Sequence, residues 1–287
     1  MTRQRHPADT TGATVNCPAC GGDLGEVVLH LGERRFLRCS ACRLLVLDPA
    51  PGVSELESEY GEDYAPFVLA SRSSGLVTRF RRGWYTARRL RWVRGLQFHS
   101  VLDVGCGTGE FLVNLRQRGI DVHGLEPSEF AAAFAGSLGL DVFQGVVAAY
   151  RPERTFDLIT LWNVIEHMTD PAGDLARLRD MLAPTGTMVI LTPDASSPQA
   201  ARFGRDWAGL EVPRHLQLFD AASLAILAAK TGLSKTIRRP ARIDHYYIGM
   251  ASWASVLRRR GWRSAVRLAP AAFRGEDSML VYWLRRT

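Results

Sequence analysis

Between residues 100 and 192 the chain alternates short apolar runs with stretches whose apolar residues recur at helical spacing. The apolar runs predict strands near 100–104, 121–126, 140–144, 156–162 and 187–192. The stretches between them predict helices near 109–118, 128–137 and 171–182. Strands that alternate with helices in this way build a mostly parallel sheet through right-handed crossovers. A further helix over 220–231 opens at Asp220, a good N-cap, and stops at Gly232. The final run Met279–Arg285 is rich in strand formers and predicts an antiparallel strand at the sheet edge.

The first predicted strand runs into Gly105-Cys106-Gly107-Thr108-Gly109, and a helix follows. Three glycines let the backbone approach a ligand closely, and the helix start offers free N–H donors. Glu126 ends the next strand, 23 positions after Asp103, where a carboxylate can accept hydrogen bonds from ribose hydroxyls. The spacing departs from the G-x-G-x-x-G of dinucleotide sites, and no Gly-Lys-Ser/Thr follows for phosphates. Glu110 at the helix start disfavours a pyrophosphate and tolerates a nucleoside cofactor without phosphates.

Four segments in order, VLDVGCGTGEFL, GLEPS, FDLITLWNVIEHMTDP and LAPTGTMVILTPD, resemble the successive motifs of class I S-adenosylmethionine-dependent methyltransferases. The resemblance covers roughly residues 95–240 and implies an α/β, Rossmann-like, seven-stranded sheet. By it, Asp103, Gly105, Gly107 and Gly109 line the methionine end of the cofactor, and Glu126 holds the ribose. Gln144, Gly145 and Val146 lie near the adenine, although many relatives carry an Asp where this chain has Gln144. Cys106 and Asn163 complete the candidate cofactor-binding set, with the Cys106 thiol read as a small packing group. Asp157 reads as the cap of a strand.

Upstream, Cys17-Pro18-Ala19-Cys20 and Cys39-Ser40-Ala41-Cys42 form two C-x2-C knuckles separated by 18 residues. Two knuckles supply four thiolates for a tetrahedral Zn²⁺, and a closed coordination sphere makes that metal structural. The order of ribbon, Leu47-Asp48-Pro49-Ala50-Pro51, Tyr60-Gly61-Glu62-Asp63-Tyr64 and methyltransferase core resembles a bacterial subgroup of these enzymes. Members with assigned roles methylate sugars and other intermediates of natural-product and surface-polysaccharide pathways. The expected organisation is a leader at 1–12, a zinc ribbon at 13–50, and a linker with a helical region over the cofactor cleft at 51–95. The methyltransferase domain at 96–287 then carries an arginine-rich insertion at about 241–275.

Charge changes this picture in two places. The net charge of +7 conceals −6 over residues 96–230, +7 over 76–95 and +9 over 231–287, and only Lys230 and Lys235 are lysines. Arg79–Arg94, interleaved with Phe80, Trp84, Tyr85 and Trp92, reads as an amphipathic helix with solvated arginines rather than a nucleic-acid site. Arg258–Arg267 with Trp262 suits a peripheral membrane surface or an anionic substrate. No run approaches the length of a membrane span, and with no signal peptide the expected location is the cytoplasm.

Methyl transfer from a sulfonium needs alignment and, for a hydroxyl or activated carbon acceptor, a base. His167, after the fourth strand, and His215, after the fifth, compete for that role. His167 alternatively braces its loop, and His215 packs against the ribbon or Phe219. Glu166 and His167 also offer two ligands to a divalent cation, although the expected transfer is metal-free. The expected activity is O-methylation of a sugar or specialised metabolite. C-methylation of a sugar nucleotide, RNA-base methylation and cofactor binding without catalysis are the alternatives.

Overall fold

All five residues of the strand Ser100–Val104 are buried, which is why the apolar run Val101-Leu102-Asp103-Val104 reads so clearly: helices cover both faces of its sheet. The computed structural model describes residues 16–59, 76–240, 244–273 and 278–287. The expected leader at 1–12, the Tyr60–Pro66 segment and the side chains of Phe80, Trp84, Tyr85, Tyr246 and Tyr247 lie outside the description.

The N-terminal strands are β1 (Leu24–Leu31), β2 (Arg34–Cys39) and β3 (Leu45–Asp48), followed by helices α1 (Val53–Glu59) and α2 (Leu76–Val93). The core continues with β4 (Ser100–Val104), α3 (Glu110–Arg116), β5 (Asp121–Glu126), α4 (Glu129–Ser137), β6 (Asp141–Gln144), β7 (Phe156–Trp162), α5 (Pro171–Asp180) and β8 (Leu182–Pro193). After α6 (Pro198–Phe203) come β9 (Gln217–Leu218), α7 (Ala221–Lys230), β10 (Leu233–Pro240), the pair α8 (Asp244–Arg260) and α9 (Trp262–Phe273), and β11 (Met279–Arg286).

The larger sheet has the order β10-β11-β8-β7-β4-β5-β6. Strands β4 to β8 pair in parallel, and β11 runs antiparallel to both β8 and β10. The C-terminal strand is antiparallel as its sequence suggests, but it is not the edge. Strand β10, whose polar Ser234-Lys235-Thr236 obscures the pattern, takes that place. The interior position suits β11, where Met279 to Leu284 are all buried. Helix starts follow the side chains: Ser128 caps α4, Asp170 caps α5, and Asp220 with Ser223 forms a capping box on α7.

The smaller sheet has the order β1-β2-β3-β9 and joins the two parts of the chain. Strand β9 lies after β8 and α6 in the chain yet pairs antiparallel with β3, at Leu45↔Leu218 and Val46↔Gln217. Leu47 N–H donates to Leu216 O, and Leu216 N–H donates to Glu166 O, both at 2.9 Å. The cysteine-bearing module is therefore hydrogen-bonded to the loop that follows β7.

Candidate active site and cysteine cluster

Strand order brings the candidate cofactor residues to one edge, because β4, β5 and β7 are neighbours and all end there. In the loop after β4, Gly105, Gly107 and Gly109 have φ of 64°, 56° and 81°. A side chain at Gly105 would meet Val164 Cγ2 at 2.6 Å, and one at Gly109 would collide with Leu140 Cδ1, so both space and backbone demand glycine. Gly105 N–H donates to Leu125 O at 2.7 Å, which ties the loop to β5.

Glu126 accepts from Gly107 N–H at 2.9 Å and Ser128 N–H at 3.0 Å. Its carboxylate thus shapes the glycine loop and the start of α4 while keeping lone pairs for a ligand. Burial raises its pKa against these two hydrogen bonds. Asp103 is fully buried beside Thr160, whose hydroxyl donates to Oδ1. Asp103 Oδ2 has no partner among the described residues, an unsatisfied carboxylate oxygen at the floor of the loop. Burial pushes this carboxyl up to about 6, opposed by the Arg89 charge and the Thr160 hydroxyl and reinforced by Glu126.

Cys106 is committed to packing: a Cβ on Gly124 would lie 2.7 Å from its Sγ, so the thiol fills the space that Gly124 leaves. Gln144 pairs in register with Glu126 and is exposed at the rim, where Gly145 N–H donates to Glu126 O at 3.0 Å. Asn163 holds a left-handed φ of 56° at the end of β7, a conformation asparagine tolerates better than most residues. Asp157 accepts from His99 N–H, Ser100 N–H and the Ser100 hydroxyl, a structural role.

Residues that the motifs did not single out complete the edge. Arg89 on α2 lies over Trp162, 5.9 Å from the ring centroid, and is close enough to Asp103 to oppose its protonation. Trp162 meets Phe111 edge to face at 5.5 Å. Thr160 was legible only once β7 is known to lie beside β4, in the register Asp103↔Thr160.

His167 and His215, competitors in the sequence, are in contact, their ring centroids 4.7 Å apart. His167 Nδ1 lies 2.9 Å from Arg214 O, and His215 Nδ1 lies 2.8 Å from Gly209 O. A carbonyl accepts only, so each Nδ1 carries the proton and each neutral ring keeps its lone pair on Nε2. His215 Nε2 faces Glu211 Oε2 at 3.4 Å. Burial and the neighbouring His215 lower His167 to about 3, and burial also lowers His215 against the pull of Glu211. Burial raises Glu166 to about 8 although Thr192 donates to its Oε2 at 3.0 Å. One ligand atom from each of Glu166, His167 and His215 lies within 4.8 Å of the others, a spacing that a divalent cation can bridge.

In the N-terminal module the four Sγ atoms converge, with Cys17–Cys42 at 3.5 Å and Cys20–Cys39 at 3.4 Å. Tetrahedral zinc at a Zn–S distance of about 2.3 Å separates its sulfurs by about 3.8 Å. The cage has the right shape and needs to expand by only a few tenths of an ångström. Gly22 N–H points at Cys20 Sγ and Cys42 N–H at Cys39 Sγ, and a Cβ on Gly22 would intrude within 3.4 Å of two sulfurs. Hydrogen bonds from Cys42 and Ala41 outweigh burial at Cys39 and hold it down to about 7, whereas burial raises Cys17 and Cys42. Four such thiols ionise together only around a cation, so the donor set fits Zn²⁺.

Comparison with known proteins identifies the family. The family model described as methyltransferase domain matches residues 53–236, and the chain belongs to that family. A ubiquinone biosynthesis O-methyltransferase of Rhodopseudomonas palustris (strain TIE-1) is 33% identical over 112 residues, covering 37% of this chain and 43% of the relative. The matched segment thus spans less than half the length of that curated relative. Among solved structures, magnesium protoporphyrin IX methyltransferase from Synechocystis PCC 6803 with bound SAH has a TM-score of 0.54 at 12% identity, covering 82% of this chain and 100% of the other. The CcbJ methyltransferase from Streptomyces caelestis has a TM-score of 0.52 at 15% identity, covering 80% of this chain and 99% of the other. The fold is that of these methyltransferases, and the chain carries a methyltransferase domain.

Proposed function

We propose that this methyltransferase modifies a hydroxyl oxygen of a small-molecule acceptor, a sugar or specialised metabolite, and that His215 or His167 takes the acceptor proton. The observation that carries the choice of oxygen is the pair of imidazoles in ring contact, each held through Nδ1–H by a main-chain carbonyl so that Nε2 is its basic atom. When bound, S-adenosylmethionine supplies a methyl group already activated on sulfur. An alcohol becomes strongly acidic only as its oxygen gains that methyl, so a weak base suffices late in the displacement. The curated relatives, named as O-methyltransferases of ubiquinone biosynthesis, support oxygen too.

For the cofactor, Asp103, Gly105, Gly107 and Gly109 hold the methionine end, Glu126 the ribose, and Gln144 the adenine rim, with Asn163 closing the loop beside Val164. Cys17, Cys20, Cys39 and Cys42 hold a structural zinc. No observation among the described residues favours RNA-base methylation or a catalytically silent protein.

Incubation with S-adenosylmethionine and a panel of hydroxylated acceptors tests the reading by mass spectrometry. The expected product carries one added methyl on oxygen; methyl on carbon, or on RNA alone, would overturn it. His215→Asn and His167→Asn separate the candidates. The variant lacking the base is expected to lose about 10²-fold in kcat with cofactor affinity unchanged. Two variants that both keep wild-type kcat would remove the histidines from the chemistry.

Asp103 gives a pH dependence. The cofactor ammonium binds its ionised form, so affinity for S-adenosylmethionine is expected to fall below about pH 6, approaching tenfold per unit. Because the folded pKa is raised, the apoprotein changes the other way: the stability tied to this group is present below 3.8 and lost as pH rises through about 6. Calorimetric titration at a series of pH values measures the first effect, and Asp103→Asn should flatten it. An unchanged slope in that variant would assign the dependence to another group.

A further inference from the structure

We propose that the α8–α9 hairpin is a membrane-surface contact that seats this enzyme on anionic lipid. Gly261, at φ 78°, turns α8 back along α9, and Trp253 Nε1–H donates to Ala265 O at 2.7 Å to lock the pair. Arg260 is drawn inward to the buried Asp206 at 2.6 Å, and Ala208 N–H donates to Ser252 Oγ at 2.8 Å. These contacts fix the inner side of the hairpin to the loop that leads to His215.

The outer side has the opposite character. Trp262 is 65% exposed, Val266 61% and Leu257 41%, although all three are large apolar residues. Trp262 and Val266 are four apart on α9 and so share one stripe; Arg263 and Arg267 form the adjoining stripe. Arg258 and Arg259 extend the positive charge at the end of α8. No Asp or Glu occurs from Tyr246 to Phe273, and among the described residues only Arg260 of these five arginines has a carboxylate partner. The Arg263 guanidinium lies over the Trp262 ring, 5.6 Å from its centroid.

An exposed tryptophan flanked by arginines is matched to the boundary between headgroups and acyl chains. The indole and valine enter the apolar layer, while the guanidinium groups remain at the anionic phosphates. Charge alone would suit RNA equally, but RNA gives nothing to Val266 or Leu257. None of the described helices is long and apolar enough to cross a bilayer, so the contact is peripheral.

The test is flotation of the full chain with vesicles of equimolar phosphatidylglycerol and phosphatidylcholine, and with phosphatidylcholine alone. Binding is expected only to the anionic vesicles, weakening as salt is raised. Trp262→Ala/Val266→Ser should bind at least tenfold less, and each exposed arginine changed to glutamine should cost about fivefold. Cofactor affinity reports that each variant is folded, since these side chains face solvent. Absence of vesicle binding would overturn the proposal, as would equal binding by the apolar double variant. RNA binding that survives that variant and displaces the vesicles would reassign the patch. So would a dimer that the double variant dissolves in the absence of any vesicle binding.

Discussion

Glu126→Gln is expected to weaken S-adenosylmethionine binding by about a thousandfold, measured by calorimetric titration, while the protein stays folded. Both carboxylate oxygens already accept main-chain hydrogen bonds, one from Gly107 and one from Ser128. An amide keeps one acceptor and places an N–H₂ against the other donor, whichever way it turns. The glycine loop must then move away from the cofactor, or the residue must turn out of its buried position. Unpairing one side of a buried, hydrogen-bonded charge costs about 2–5 kcal/mol, and the middle of that range corresponds to two to three powers of ten in Kd. Loss of the proposed ribose contact adds to it. A Kd within threefold of wild type would show that Glu126 shapes the loop without serving the ligand.

The same residue shows why part of this site is readable from sequence. Glu126, Asp103 and the glycines lie at strand ends, where an apolar run stops and local chemistry begins, so one-dimensional spacing reports three-dimensional proximity. The predicted strands at 100–104, 121–126 and 156–162 coincide with β4, β5 and β7 for this reason. Strand β8 begins earlier than the apolar run at 187–192, because Leu182 pairs with Phe156 across an irregular stretch containing Pro184 and Gly186. Strand β10 has no apolar signature because an edge strand need not be apolar. Residues that act through register, such as Thr160 on Asp103, have no linear signature, and neither does the contact of His167 with His215 across 48 positions. The sharing of β9 with the cysteine module is likewise invisible in a two-residue strand.

That shared strand gives the second large effect. With zinc held by the four cysteines as proposed, Cys42→Ser, or removal of that metal from the intact protein by a strong chelator, is expected to abolish methyl transfer while leaving cofactor affinity within about threefold. Structural zinc contributes roughly 10–16 kcal/mol to the folding of small modules, far more than β1 to β3 can supply from their few buried side chains. With the metal gone, β3 loses its support and β9 loses its partner. Leu47 and Leu216 then separate, and with them the hydrogen bond from Leu216 to Glu166. Gln217 Nε2–H₂, which donates to Ile165 O at 3.0 Å and also to Met168 O, is released as well. These contacts hold His167 and His215 together, whereas Asp103, the glycine loop and Glu126 are held by β4, β5 and α4 on the other side of β7. Chemistry should therefore fail while the cofactor still binds, and the loss should track the metal content measured by mass spectrometry. Full activity in metal-free protein would mean that the cysteine module is only an appendage. Parallel loss of cofactor binding would mean that it supports the whole core rather than the acceptor side.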